Sequence, residues 1–288
     1  MSVLELRQLA SEDFPYLLKE IPDPPDRLYV HGRLPPRDTT ALCVVGSRKY
    51  SPYGKQVVET LIHSLRGLPV TVVSGLALGI DALAHEAALK ANLHTIAVPG
   101  SGLNREVLAP RSNLGLAGRI LEAGGALLSE FEPTFASTPW AFPQRNRIMA
   151  GLSQAVLVIE AQQRSGTLIT ARLAGEYNRD VLTVPGSIFS ATSIGPHQLI
   201  RDGATPITSA DDLHQALGIE HDRGQQPEPD RAEYSADERA LLELLREPQA
   251  RDDLIRRSSL GTSKTNMILA ALEMKGVVKE ERGEVRRV

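Results

Sequence analysis

Residues 44–55 read VVGSRKYSPYGK, two valines running into glycine, serine and a pair of cations. An apolar strand that ends in Gly46 and Ser47 leaves backbone N–H groups uncovered, and a helix opening nearby would add the positive end of its dipole. Such a turn suits an anion. The same kind of ending recurs: Val73-Ser74-Gly75, Val98-Pro99-Gly100-Ser101 and Val184-Pro185-Gly186-Ser187 each close an apolar run with small residues. Apolar runs at 42–45, 70–73, 95–98, 126–128, 155–159 and 181–184 alternate with segments of helical period, which predicts a doubly wound, mostly parallel α/β sheet. In open sheets of this kind ligands bind beyond the carboxyl ends of the strands, where these turns lie.

The flanks differ from this regular body. Residues 1–39 are proline-rich, with Pro22, Pro24, Pro25, Pro35 and Pro36, and are expected to form an irregular extension with one short strand near 28–30. The sheet domain is expected over 40–217, with helices starting after Asp81 and Thr167. Residues 218–234 are almost devoid of apolar groups and carry two prolines, the composition of a solvated linker. In 235–288, Ser235 and Glu238 have capping-box spacing, and Ala240, Leu241, Leu244 and Leu245 form a stripe. Two further helices fit 251–257 and 262–274, with Gly261 between them and Gly276 as a stop. A hairpin around Gly283 would complete a small winged helix-turn-helix.

Composition bounds the function. A chain of 288 residues, 42% hydrophobic and 23% charged, can bury one large core and still carry a small second domain. Its single cysteine, Cys43, sits in an apolar run and reads as a core thiol, since one cysteine cannot form an internal disulfide. No apolar run approaches the roughly 20 residues that span a bilayer, and no leader is evident, so a cytoplasmic protein without membrane attachment is expected. The formal charge of -3 excludes a globally basic surface, so any polyanion must meet a local cluster of cations.

Each motif has a plain structural reading beside the functional one. The opening stretch is not a Walker loop, because seven residues separate Gly46 from Gly54 and Gln56 follows Lys55; alone, it is a tight turn with a surface arginine. In SGLALGIDALAH, residues 74–85, Gly75 and Gly79 mark a strand-to-helix junction. Asp81 and His85 there have the spacing of one helical face but lack partners for metal or acid–base work, which favours capping and packing. Residues 140–151, WAFPQRNRIMAG, interleave Trp140 and Phe142 with Arg145, Asn146 and Arg147 in a chain only 4% aromatic. Bases stack on such rings while guanidinium groups hold phosphates; the alternative is core filling with salt bridges. Ser165, Gly166 and Thr167 follow a strand and open a helix, a further anion-ready terminus. Turns, cations and aromatics without a nucleophile, metal cluster or acid–base pair fit holding a phosphodiester chain better than cutting one.

In this order the motifs VGSRKYSPYG, SGLALGIDALAH, FPQRNRIMAGLS, SGTLITARLA, VPGS and LIRDGA closely resemble the DNA-processing protein A family, also called DprA or Smf, over roughly residues 40–212. The resemblance implies an extended Rossmann-like fold that binds single-stranded DNA, forms a homodimer and helps load the RecA recombinase onto strands coated by single-strand-binding protein during natural transformation. The residues themselves suggest no catalysis, cofactor or metal. By motif, the resemblance places Gly46, Ser47 and Arg48 in a phosphate-binding turn and Gly75 and Gly79 along its wall. Phe142, Arg145, Asn146 and Arg147 match the DNA-contacting stretch, and Ser165, Gly166 and Thr167 a second turn. Where the family commonly has Tyr-Pro and a cation after the next asparagine, this chain has Ala109-Pro110 and Leu114, with Arg111 a partial substitute. Two other classes stay open from the residues alone. One is a Rossmann-like nucleotide or nucleoside-phosphate hydrolase. The other is a ligand-sensing transcription factor, against which the near-balanced charge of the C-terminal domain counts.

Overall fold

The computed structural model describes residues 5–219, 234–245, 249–274, 277–281 and 284–287. The chain forms two units, 1–220 and 221–288. Most of the expected linker, with Gly276 and Gly283, lies outside the described residues.

Six strands of the first unit fall on the six apolar runs: β3 (Thr40–Val45), β4 (Val70–Ser74), β5 (His94–Ala97), β6 (Ala126–Ser129), β7 (Ala155–Val158) and β8 (Asp180–Thr183). They pair in parallel, with β9 (Thr205–Pro206) added beside β8. The proline-rich segment is not peripheral to this sheet. Its strands β1 (Arg7–Leu9) and β2 (Leu28–Gly32) extend it antiparallel, β2 against β6, giving the order β1-β2-β6-β5-β4-β3-β7-β8-β9. A three-residue strand carries no readable alternation, which is why β1 was not legible in the sequence.

Alternation along β3 shows why the run is apolar throughout. Ala41, Cys43 and Val45 enter one buried cluster and Leu42 and Val44 another, because successive side chains point to opposite faces. The first face is covered by α1 (Tyr16–Lys19), α5 (Ala141–Leu152) and α6 (Gly166–Glu176), which supply Leu18, Ile148, Met149 and Ala171. The second is covered by α2 (Pro52–His63), α3 (Ile80–Lys90) and α8 (Ala210–Ala216), which supply Ile62, Ile80 and Leu213. Helix α4 (Leu114–Glu122) packs Ile120 beside Leu127, and α7 (Ile194–Arg201) follows β8. Cys43 is fully buried, and burial pushes its thiol pKa up, so it is a core thiol.

Helix starts differ slightly from expectation. α3 begins at Ile80 behind Gly79, whose φ of 87° no other residue adopts readily, and Asp81 sits inside the first turn. α6 begins two residues early, with Ser165 as N-cap accepting from the Thr167 N–H.

The second unit contains α9 (Ala236–Leu244), α10 (Arg251–Arg257) and α11 (Thr262–Met274). With β10 (Gln249–Ala250), β11 (Val278–Glu281) and β12 (Glu284–Arg287) in the order β10-β12-β11, this is a winged helix. The Ser235–Glu238 capping box forms, and Gly261 takes a φ of 76° between α10 and α11.

Candidate nucleic-acid interface

The sheet order reverses at β3: β4, β5 and β6 run out on one side, and β7, β8 and β9 on the other. The loops leaving β3 and β7 therefore diverge, since α2 and α6 cover opposite faces, and a crevice opens at the carboxyl ends. A cleft of about 860 Å³ lies there, lined by Gly46–Lys49 from the β3 turn, Phe142, Arg145 and Asn146 from α5, and Arg164–Thr167 at the start of α6.

The turn after β3 is held from within. Ser47 Oγ donates to the Lys49 carbonyl at 2.7 Å and accepts from the Lys49 N–H at 3.1 Å, and the Ser47 carbonyl accepts the Ile80 N–H at 3.1 Å. Thr167 Oγ1 donates to the Gly46 carbonyl at 3.1 Å, and Asn146 Nδ2 donates to the Gly166 carbonyl at 3.3 Å. These two bonds tie the β3 turn to α6 and α6 to α5, so the three walls are one construction.

Arg48 is exposed and its guanidinium carbon stands 5.4 Å from the centre of the Phe142 ring, a cation–π contact that orients the fork without neutralising it. Among the described residues Arg48, Lys49 and Arg164 form no ion pair, and the one carboxylate lining the cleft is Asp81. Lys49 and Arg164 lay in stretches singled out by sequence, yet only the geometry places their residues on the cleft.

Arg145 and Arg147 part company. Arg145 is 4% exposed; its Nη1 donates to the Gly75 carbonyl at 2.5 Å and also to the Val98 carbonyl, so it braces the ends of β4 and β5 from the cleft floor. Arg147 does not line the cleft: it pairs with Glu130 and, at 3.5 Å, with Asp23, and donates to the Asp23 carbonyl at 2.8 Å. Residues two apart on a helix point about 200° away from each other, so the expectation that both arginines face one ligand fails on helical geometry. Arg111 is exposed and does not line the cleft. Neighbouring Asn113 is structural, with Nδ2 donating to the Leu76 carbonyl at 2.8 Å.

The glycines make room for protein rather than for a ligand. A Cβ on Gly46 would stand 2.6 Å from Ile80 Cγ1, on Gly79 2.2 Å from the Ser47 carbonyl oxygen, and on Gly75 2.0 Å from Arg145 Nη1 and 2.5 Å from Asp81 Oδ2. Gly75 and Gly79 do not line the cleft; they let its walls close up.

Asp81 and His85 fill structural roles. Asp81 accepts the Gly75 N–H at 3.1 Å; burial raises its pKa, while Arg145 and the backbone N–H groups oppose that rise. His85 is fully buried against Thr95 Oγ1 at 2.7 Å, and burial lowers it to about 3, so it stays neutral. No group of three or more metal-ligating side chains occurs among the described residues, and no helix among them is long and apolar enough to cross a membrane.

Comparison with known proteins agrees with this architecture. Residues 5–218 match the family model of DNA recombination-mediator protein A, and 225–284 match that of the DprA winged helix domain. Protein Smf of Escherichia coli is 45% identical over 207 residues, covering 72% of this chain but 55% of that protein, so the match spans just over half its length. The structure of Streptococcus pneumoniae DNA processing protein A aligns with a TM-score of 0.67 at 39% identity over 74% of this chain and 75% of that one. A Helicobacter pylori DNA processing protein A, whose structure describes a single-stranded DNA binding mode, aligns with a TM-score of 0.66 at 29% identity over 76% of this chain and 98% of that one.

Proposed function

This chain belongs to the DNA recombination-mediator protein A family, and from that premise we propose that it binds single-stranded DNA in the cleft at the β3–β7 switch point. The observation that carries the reading is the pairing of an exposed, uncompensated Arg48 with the Phe142 ring at a cleft walled by the β3 turn and the start of α6. Phosphates meet Arg48, Lys49, Arg164 and the N–H groups of the β3 turn and of α6, and bases meet aromatic faces. Ser47, Asn146, Ser165, Gly166 and Thr167 hold the walls in place through the bonds within the β3 turn, α5 and α6. Arg145 positions this site from beneath and does not grip the ligand directly.

The finer reading is that the protein is a cytoplasmic homodimer that helps load RecA onto incoming strands coated by single-strand-binding protein during natural transformation, without turning a substrate over. Absence of turnover is supported by the burial of Asp81 and His85, which are bonded to the Gly75 N–H and to Thr95 Oγ1. The hydrolase alternative would need a solvent-facing base that the described cleft lining does not supply. The test is binding of single- and double-stranded oligonucleotides of equal length across a salt series. Preference for the single strand, with affinity falling at about -0.7 in log–log slope per phosphate neutralised, is expected. Equal affinity for both, or salt-independent binding, overturns the reading.

A further inference from the structure

We propose that Trp140 is a base-stacking platform at which the bound strand leaves the cleft, an inference that rests on the single-strand reading above. Trp140 is 55% exposed, although it is the largest apolar side chain in a sequence with one tryptophan. It caps α5 between Pro139 and Phe142, both of which line the cleft. A strand passing over the first turn of α5 therefore meets the indole next.

The ring is held for that use. Phe131 contacts it edge-on, with centroids 5.7 Å apart and planes at 78°, and Phe135 at 5.6 Å and 59°. Neither phenylalanine lies flat on the indole, so the pair fixes its position without a parallel ring stacked upon it. Phe131 and Phe135 are themselves stacked at 4.6 Å, which anchors both. An aromatic pinned in advance gives up little rotamer freedom when a base arrives.

The surrounding charge is compatible with a polyanion. Glu130 pairs with Arg147, and Glu132 pairs with Arg27 and accepts from Tyr29 Oη at 2.7 Å. Both acids beside the aromatic cluster are thus neutralised, which gives Arg147 a purpose in the site without contact to DNA. Phe189 is more exposed, at 93%, but has no ring partner among the described residues to hold it as a platform.

Because Trp140 is the sole tryptophan, its fluorescence reports on the event directly. The experiment titrates the full chain with unlabelled oligothymidylate and, separately, with an abasic strand of the same length, while anisotropy of a labelled oligothymidylate gives affinity independently. Quenching by oligothymidylate that saturates with the anisotropy curve, and none with the abasic strand, is expected. Trp140→Ala weakens binding about tenfold at unchanged salt slope, because a base contact and no phosphate contact is lost, and Trp140→Phe recovers part. Should Trp140→Ala fail to fold, the wild-type quenching decides. Saturated binding without quenching, or a folded Trp140→Ala protein of wild-type affinity, overturns the platform while leaving the cleft intact. Absence of any oligothymidylate anisotropy change overturns the single-strand reading itself.

Discussion

Replacing Arg145 by leucine tests whether this arginine is a brace, as its burial indicates, or a ligand contact. The substitution strips the donors from the Gly75 and Val98 carbonyls and leaves the Asp81 carboxylate buried without its opposing charge. Each orphaned buried carbonyl costs about 1–3 kcal/mol, and Asp81 also loses the nearby charge that offsets its burial. A loss of about 4 kcal/mol lowers the Tm of a unit of this size by about 8–16 °C. The pH dependence discriminates further. Burial holds the folded pKa of Asp81 above its unfolded value, and Arg145 is the largest force opposing that shift, so without it the folded value climbs further. A carboxyl whose folded pKa is raised favours the fold below its unfolded value of about 3.9 and loses that contribution as pH rises through the folded value. The deficit of Arg145→Leu against wild type therefore shrinks as pH falls towards the unfolded value of about 3.9, and adding Asp81→Asn removes that dependence. Thermal unfolding by circular dichroism across pH measures this. A Tm within about 3 °C of wild type, or a deficit constant with pH, refutes the brace.

Further outcomes follow from the same geometry. Arg147→Ala leaves Glu130, whose pKa burial already raises, without its ion partner; stability falls by about 1–3 kcal/mol while the salt slope of DNA binding stays that of wild type. Gly79→Ala forces a Cβ to 2.2 Å from the Ser47 carbonyl at a φ of 87°, so it lowers stability by about 1–3 kcal/mol and weakens DNA binding with it. Gly118→Ala, with open space at its Cβ in α4, is neutral or stabilising by up to about 1 kcal/mol, and chemical denaturation compares the two. Ending the chain at residue 219 leaves single-strand affinity within about threefold by anisotropy, because every residue lining the cleft precedes it.

The sheet was legible because buried parallel strands are apolar on both faces, so the six runs from Leu42 to Val184 stand out without an alignment. Of the two N-terminal strands, β2 matches the short strand expected near 28–30, whereas β1 is too short to show a period. In the site, Gly46, Ser47, Arg48, Phe142, Ser165, Gly166 and Thr167 were found as motifs and do meet at one cleft. Glycine at 75 and 79 was legible but its reason was not, because a sequence cannot say whether a missing Cβ admits a ligand or a neighbouring side chain. The opposed directions of Arg145 and Arg147 follow from helical rotation, and Pro143 between Phe142 and Arg145 obscured the helix that imposes it.

Arg48 is the exposed cation proposed to grip a backbone phosphate. The most direct measurement is the salt dependence of single-strand binding by wild type and Arg48→Ala. With the fold unchanged by circular dichroism, the variant should bind more weakly and its log–log slope should be shallower by about 0.7, the value for one phosphate contact. A folded Arg48→Ala protein with wild-type affinity and slope would contradict the claim that this turn holds DNA.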